Sequence, residues 1–125
     1  MPKAPEVPKN PKLAILGCGN MGEMLVSGLL ASGYLRSPDI VITDSVADRA
    51  REISKRYAVG TAANAQAVQD AGVALIAVKP KDVAPLLQEV APAADEETLF
   101  ISVAAGVKLS TLEAGLGDRS PVIRA

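Results

Sequence analysis

The chain has 125 residues, which is long enough for one domain with a buried core. Hydrophobic residues make up 49% of the sequence and aromatic residues only 2%, so the core has to be built mainly from alanine, valine, leucine and isoleucine. This composition is typical of strands that are covered by helices on both faces. The formal net charge of −1, without a clustered basic stripe, argues against a nucleic-acid partner.

Cysteine and histidine usage narrows the chemistry further. Cys18 is the single cysteine, which excludes an intramolecular disulfide, and the chain has no histidine. No metal-ligand spacing is present, so we expect no metal site. Residues 1–11 contain four prolines and no hydrophobic run. We therefore expect this segment to be a disordered lead-in, not a signal peptide or membrane helix, and we expect a cytoplasmic protein with no membrane partner.

Apolar runs alternate with helical patterns along the rest of the chain. In chain order, the sequence predicts a strand at 12–16, a helix at 20–32, a strand at 40–43, a helix at 46–57, a short strand at 59–61, a helix at 64–69, a strand at 73–78, a helix that begins near 82, a strand at 99–103, a helix at 109–116 and the start of a strand at 122–123. Ser45, Asn64 and Asp82 are predicted to cap three of these helices. The alternation predicts one α/β domain over residues 12–125, a Rossmann-type doubly wound parallel sheet with helices on both faces.

The first strand runs directly into a glycine-rich turn, GCGNMG at residues 17–22. In such a turn Gly17 permits the tight bend, Gly19 lets phosphates approach the backbone, and Gly22 lets the following helix pack closely on the sheet. The unpaired N–H groups and the dipole of that helix favour a diphosphate. Asp44 follows the second strand, where a carboxylate can bind ribose hydroxyls. The motif therefore predicts a dinucleotide cofactor, and the structural alternative is an ordinary turn. Within the turn, Cys18 is expected to be a small space-filling residue and not a redox thiol.

The position of this site follows from the predicted sheet. Ligands of doubly wound sheets lie across the carboxyl ends of the strands, where the strand order reverses. The loops expected to carry the site are 17–22, 44–45, 78–80 and 104–106.

Three motifs together resemble one enzyme family. GCGNMG at 17–22, AVKP at 77–80 and SVAAGV at 102–107, in this order and spacing, resemble the cofactor domain of pyrroline-5-carboxylate reductase. The resemblance covers the chain from Lys12 to its last residue, and AVKP followed by SVAAGV is more selective than the glycine motif. It implies an oxidoreductase of proline biosynthesis that reduces a cyclic imine with hydride from NADPH or NADH.

The resemblance also implies roles for individual positions. The diphosphate would be bound by the backbone of Leu16, Gly17, Cys18, Gly19, Asn20 and Met21, next to Gly22. The adenosine part would be bound by Asn64, with Asp44 and Ser45 in the loop after the second strand. The nicotinamide ribose would lie against Ala77, Val78 and Lys79, with Pro80 in the same loop, and the nicotinamide against Ala104 and Ala105. Structural alternatives remain open: a helix cap for Asn64, a solvated charge for Lys79, and a turn that requires small residues at 104–106.

Asp44 departs from the family pattern, in which a small polar residue commonly leaves room for the 2′-phosphate of NADPH. A carboxylate there would accept hydrogen bonds from the ribose of NADH but repel that phosphate. Arg49 or Arg51 could offset the repulsion if its side chain turned back over the loop. We therefore expect this chain to tolerate NADH better than typical members do.

The family also has a second, wholly helical domain that forms the dimer and binds the imine. No such segment is present here, so we expect a chain that supplies only the cofactor-binding half, with no catalytic residue assignable within it. Other functions remain open: a stand-alone dinucleotide-sensing module, another dehydrogenase with a helical second domain of the hydroxyisobutyrate or prephenate type, or a methyltransferase. Without its second domain, the chain is expected to expose apolar surface at 109–116 and 122–123 and to self-associate.

Overall fold

The structure, a computed structural model, describes residues 13–117 and 119–125. Strands and helices alternate along this part of the chain. The strands are β1 (Leu13–Leu16), β2 (Ile40–Thr43), β3 (Gly60–Thr61), β4 (Val73–Ile76), β5 (Leu99–Ser102) and β6 (Val122–Arg124), and the helices are α1 (Asn20–Ser32), α2 (Ala47–Tyr57), α3 (Asn64–Asp70), α4 (Pro80–Val90) and α5 (Leu109–Leu116). Short 3₁₀ segments occupy Ser37–Asp39 and Ala91–Ala93. The predicted lead-in at 1–11, together with Lys12, lies outside the described residues.

The six strands form one parallel sheet in the order β3-β2-β1-β4-β5-β6. Ile15 in the middle of β1 is paired with Ile42 on one side and with Leu75 on the other. The chain therefore builds outward from β1 to β3 and then crosses back to place β4 against the free side of β1. This reversal creates a crevice at the carboxyl ends of β1 and β4, the position where ligands bind in such sheets. The predicted doubly wound fold is confirmed.

Two hydrophobic cores lie on opposite faces of the sheet. Side chains alternate along a strand, and Leu13 and Ile15 accordingly pack with residues of α1 and α2. Ala14 and Leu16 pack with residues of α3, α4 and α5 on the other face. Phe100 of β5 is fully buried in this second core. Both faces of the sheet are covered by helices, as the low aromatic and high aliphatic content predicted.

All three predicted helix caps are wrong. Helix α2 begins one residue later than predicted, and its N-cap is Val46 instead of Ser45. Helix α3 begins at Asn64 itself, so Asn64 is its first residue and not its cap. Helix α4 begins at Pro80, and its N-cap is Lys79 instead of Asp82. None of these helices has a side-chain capping hydrogen bond. Proline at the first helical position is favourable because it has no N–H to leave unpaired, which explains the early start of α4.

Element ends differ from the prediction by one or two residues elsewhere. β4 ends at Ile76 and β5 at Ser102, because the loops that follow turn away at the carboxyl edge of the sheet. Because α4 begins at Pro80 and not near residue 82, Pro85 is the sixth residue of the helix. At that position it removes one intrahelical hydrogen bond.

The expected exposure of the last two elements is correct only in part. Leu112 and Leu116 of α5 are buried in the core, so most of the apolar surface of this helix is covered. Leu109 at the start of α5 is 42% exposed and Ile123 of β6 is 52% exposed. Within the described part of the chain, β6 is an edge strand that pairs with β5 alone.

The contact between α1 and the preceding turn generates a prediction about stability. A Cβ atom at Gly22 would overlap the carbonyl oxygen of Gly17, whereas a Cβ at Gly28, in the same helix, has no neighbour within 4 Å. We expect Gly22→Ala to lower the free energy of unfolding by at least about 2 kcal/mol, because backbone has to move to relieve the overlap. The matched change Gly28→Ala is expected to raise it by about 0.5–1 kcal/mol through helix propensity. Urea unfolding followed by circular dichroism measures both values, and equal effects of the two substitutions would contradict the prediction.

Candidate functional site

The glycine-rich turn is held against the ends of two neighbouring strands. Gly17 has φ +105°, a conformation that favours glycine, and its N–H donates to the carbonyl oxygen of Thr43 at 3.0 Å. A Cβ on Gly17 would lie 2.9 Å from Val78 Cγ1 and 3.0 Å from the Ala77 carbonyl carbon. The turn thus has no room for a side chain at Gly17 and is fixed between the end of β2 and the end of β4.

The outer side of the turn is open. A Cβ on Gly19 would meet no atom within 4 Å, and its φ of −71° is accessible to any residue. Gly19 is the N-cap of α1, and its carbonyl accepts the N–H of Glu23 at 2.9 Å. Asn20 and Met21 are exposed on the first turn of this helix, whose N–H groups have no acceptor within the helix. The turn therefore offers open space and backbone donors to an anionic group.

A cleft of about 440 Å³ lies beside the turn, between the ends of β1, β2 and β4 and the start of α3 and α4. Eight of the predicted site residues line it: Gly17, Gly19, Asp44, Ser45, Asn64, Ala77, Val78 and Lys79. Sequence reasoning missed seven further lining residues: Thr43, Val46, Lys81, Asp82, Pro85, Leu86 and Glu89. Most of the missed residues belong to α4, which approaches the turn only because β4 returns to the side of β1.

The other predicted site residues lie around this cleft or away from it. The side chains of Leu16 and Cys18 are fully buried in the core, so these two residues can reach a ligand only through their backbone. Gly22 is buried beneath the turn and Pro80 is exposed at the start of α4. The structure does not bring these four residues to the wall of the cleft.

The loop after β5 lies on the far side of β4 from the cleft. Ala104 is buried and its N–H donates to the Ser102 hydroxyl at 3.3 Å, while Ala105 is exposed. Gly106 has φ +76°, which favours glycine, so the loop includes the tight turn that was considered as the structural alternative. Ala104 and Ala105 are not among the residues that line the cleft.

Cys18 has the properties of a packing residue. Its side chain is fully buried, and burial, reinforced by the charge of Asp44, raises the pKa of the thiol to about 12. A thiol with this pKa stays protonated at neutral pH and is a poor nucleophile. This favours the interpretation that Cys18 fills space in the turn.

Asn64 does not cap α3 but joins two other elements. The Thr43 hydroxyl donates to Asn64 Oδ1, and Asn64 Nδ2 donates to Glu89 Oε2 at 3.1 Å. This polar chain, Thr43–Asn64–Glu89, connects the end of β2 to the start of α3 and the third turn of α4 along the wall of the cleft. The cap interpretation of Asn64 is therefore wrong.

One of the two arginines considered beside the turn does fold back over it. Arg49 Nε donates to the carbonyl oxygen of Cys18 at 2.7 Å, and its terminal nitrogen donates to Glu23 Oε1 at 2.8 Å. Arg51 instead pairs with Asp48, and both of these side chains are largely exposed. Arg49 thus ties α2 to the outer side of the turn, whereas Arg51 does not reach it.

Glu23 is the centre of a cluster between α1 and α2 that sequence reasoning missed. Besides Arg49, it accepts hydrogen bonds from the Tyr57 hydroxyl at 2.8 Å and from Arg56. These donors, Tyr57 first and Arg49 next, lower the pKa of Glu23 to about 2. The only signal in the sequence was an acidic residue in the first turn of the helix, where the dipole also favours it.

Metal-binding clusters and membrane-spanning helices are both absent from the part of the chain that the structure describes. Within residues 13–117 and 119–125, no group of three or more potential ligands is placed to hold a metal ion. Over the same residues, no helix has the length and apolar character required to cross a membrane.

Fold and site together define the class of protein. A parallel sheet of this order, with a glycine-rich turn before a helix N-terminus and an acidic residue after β2, is a dinucleotide-binding domain of the Rossmann type. The model of one protein family, described as "NADP oxidoreductase coenzyme F420-dependent", matches residues 12–106, and the chain belongs to that family. This membership confirms the predicted NAD(P)-type cofactor.

Individual relatives carry a more specific name. Pyrroline-5-carboxylate reductase from Pseudomonas aeruginosa is 38% identical over 115 residues, a match that takes in 91% of this chain and 42% of that protein. The solved structure of a pyrroline-5-carboxylate reductase from Coxiella burnetii has a TM-score of 0.82 at 29% identity, covering 93% of this chain and 43% of the other. Plasmodium falciparum pyrroline carboxylate reductase, solved with NADP bound, shares the fold at a TM-score of 0.79 and 20% identity, covering 93% and 42%. The resemblance found in the sequence is confirmed, and the chain spans roughly two fifths of the length of these relatives.

The Glu23 cluster predicts a specific dependence of stability on pH. The pKa of Glu23 is lowered from 4.5 to about 2, so its stabilising effect is complete above pH 4.5 and is lost as the pH falls towards 2. We expect Glu23→Gln to be less stable than the wild type at pH 7 and the difference to shrink steadily below pH 4.5. Urea unfolding at several pH values measures it, with Glu113→Gln, an exposed change in α5, as a control expected to match the wild type at pH 7. A difference between wild type and Glu23→Gln that stays constant down to pH 2.5 would contradict this account.

Proposed function

We propose that this chain is the cofactor-binding domain of a pyrroline-5-carboxylate reductase, which reduces 1-pyrroline-5-carboxylate to proline with a hydride from NADPH or NADH. The observation that carries the proposal is the 38% identity to the Pseudomonas aeruginosa reductase over 91% of this chain. The match includes the loops after β1, β4 and β5, and these loops contain the three motifs that distinguish the family in sequence. The 29% identical Coxiella burnetii structure supports the same proposal.

The open turn supports binding of the cofactor diphosphate. The space above Gly19 and the N–H groups of the first turn of α1 suit an anion, and Gly17 and Gly22 keep the turn in place beneath it. When bound, the reduced nicotinamide supplies the hydride for the imine. In this proposal the backbone from Leu16 to Met21 holds the diphosphate.

The remaining predicted residues divide between the two ends of the cofactor. Asp44, Ser45 and Asn64 line the adenosine side of the cleft, where α3 begins. The nicotinamide side is assigned to the loop at 77–80 and to Ala104 and Ala105 beyond it. No residue of this chain is proposed to act on the substrate, because a group that grips the imine has to come from elsewhere in the longer protein.

The rest of the protein is part of the proposal. We propose that a helical second domain completes the enzyme, forms a homo-oligomer and binds the imine, and that the chain alone binds cofactor without reducing substrate. A cytoplasmic location is proposed on the same basis. The alternative is a stand-alone dinucleotide-sensing module.

Two measurements, made one after the other, test this proposal. Titration of the chain with NADPH and NADH, followed by calorimetry at fixed ionic strength, is expected to show saturable binding of at least one of them. The protein from the complete reading frame is expected to oxidise NADPH when 1-pyrroline-5-carboxylate is added, and not when prephenate or 3-hydroxyisobutyrate replaces it. Binding without any turnover in the complete protein would favour the sensing module, and the absence of binding would refute the proposal.

The position of Asp44 predicts the preference between the two cofactors. Its carboxylate lines the cleft, and Arg49, the arginine that folds back over the turn, is already paired with Glu23 and hydrogen-bonded to the carbonyl of Cys18. We expect the chain to bind NADH at least as tightly as NADPH. Asp44→Asn is expected to tighten NADPH binding by about tenfold relative to NADH, because it removes a like charge beside the 2′-phosphate.

The matched control for this change is Asp48→Asn. It removes the same charge in the first turn of α2, where Asp48 is exposed, paired with Arg51 and outside the cleft. Fluorescence titration with both cofactors should show an unchanged ratio of affinities for this variant. A clear NADPH preference in the wild type would overturn the assignment of Asp44.

A further inference from the structure

The polar chain Thr43–Asn64–Glu89 ends in a group that can only accept hydrogen bonds. The Thr43 hydroxyl donates to the Asn64 carbonyl oxygen, and the Asn64 amide donates to one Glu89 oxygen. These two bonds fix which way the Asn64 amide faces. A carboxylate has about four acceptor positions and no donor, so one bond from Asn64 leaves Glu89 with unused acceptor capacity. A ligand group that meets Glu89 in the cleft should therefore be a donor.

The position of this acceptor within the cleft indicates which part of a dinucleotide it would meet. In folds of this type the diphosphate lies at the glycine turn, and the acid after β2, here Asp44, binds the adenosine ribose. Asn64 begins α3 and Glu89 lies on α4, and both line the same cleft as Asp44. A dinucleotide with its ribose at Asp44 would bring its base to the part of the cleft that these two helices line.

The walls beside Glu89 suit a flat ring. Val46 after β2, and Pro85 and Leu86 on α4, contribute apolar surface to the cleft, and Val46 is 57% exposed. Apolar walls with a few polar groups that fix orientation are typical of sites for ring systems. Pro85 contributes a rigid ring, rather than a flexible side chain, to this wall.

The chemistry of the acceptor then distinguishes between bases. Adenine carries an amino group, a donor, at position 6, whereas hypoxanthine and guanine carry a carbonyl oxygen there. A carboxylate placed at position 6 attracts the amino group and repels the carbonyl oxygen. Glu89 is exposed in the structure, and a base bound in the cleft would cover it. An acceptor left against another acceptor lowers the affinity of a site for a close analogue.

We propose that Glu89 is a specificity-determining residue that accepts a hydrogen bond from the 6-amino group of adenine, with Asn64 holding its carboxylate in place. The proposal rests on the function proposed above, since it requires a dinucleotide in this cleft. It concerns the base, and it is therefore independent of the preference between NADH and NADPH that Asp44 governs.

The test compares NADPH with its 6-deamino analogue, which has hypoxanthine in place of adenine and is otherwise identical. Both are titrated into the chain, and the dissociation constants are obtained from nicotinamide fluorescence. We expect the wild type to bind the analogue about tenfold more weakly, the lower end for a lost hydrogen bond to a charged group, because Glu89 is exposed. In Glu89→Gln the amide can turn either its oxygen or its NH₂ group to the base, so the two dissociation constants should become equal within about threefold.

Asp82→Asn is the matched control. Asp82 lies on the same helix and lines the same cleft, so this change removes the same charge without removing the proposed acceptor. We expect Asp82→Asn to bind both NADPH and its 6-deamino analogue slightly more tightly than the wild type does. The ratio of its two dissociation constants is expected to equal that of the wild type. Circular dichroism verifies that both variants are folded.

The possible outcomes separate this proposal from the one it rests on. The role of Glu89 would be overturned if the wild type bound NADPH and its 6-deamino analogue equally, or if Glu89→Gln discriminated between them as well as the wild type does. Either result would leave the dinucleotide-binding domain intact. Loss of discrimination in Asp82→Asn as well would also overturn it, because charge alone would then explain the effect. A wild type that binds neither cofactor would refute the cofactor domain itself.

Discussion

The contact of α1 with the turn beneath it is the constraint on which the rest of the site depends. Gly22 packs so closely on the carbonyl of Gly17 that no side chain can be placed there, and Gly17 is equally confined by the end of β4. The helix N-terminus is thereby brought to the carboxyl edge of the sheet at a fixed distance from β1. The open space above Gly19 and the wall that the turn contributes to the cleft both follow from this position.

Charged groups stabilise the same arrangement from outside. Glu23 accepts hydrogen bonds from Arg49, Arg56 and Tyr57, and Arg49 also binds the carbonyl of Cys18 in the turn. The cluster joins α1 and α2 on the face of the sheet opposite α3 and α4. It also engages the guanidinium of Arg49 and holds it on the outer side of the turn. The stability of the α1–α2 contact and the charge around the turn are therefore linked through Arg49.

The sequence predicted the elements whose signals are local. Buried parallel strands appear as short aliphatic runs, and β2, α1 and α5 have the predicted bounds because an apolar period or a glycine marks their ends. The helix caps could not be predicted from residue type, since Asn64 is engaged by Thr43 and Glu89 from distant parts of the chain. The α4 wall of the cleft was missed for a similar reason. No pattern in α4 indicates that Lys81, Pro85 and Glu89 face a turn more than sixty positions earlier.

The pairing of β1 has a consequence for how the site forms during folding. Ile15 finds its neighbours Ile42 and Leu75 far along the chain, and the turn after β1 is in place only when both pairings exist. Such non-local contacts close late and slowly compared with helices. A ligand that requires the completed turn therefore binds only the fully folded chain, and at a concentration one hundred times its dissociation constant it adds about 2.7 kcal/mol to the free energy of unfolding. Cofactor supply in the cell would then influence how much of this protein escapes proteolysis, in addition to any effect on turnover.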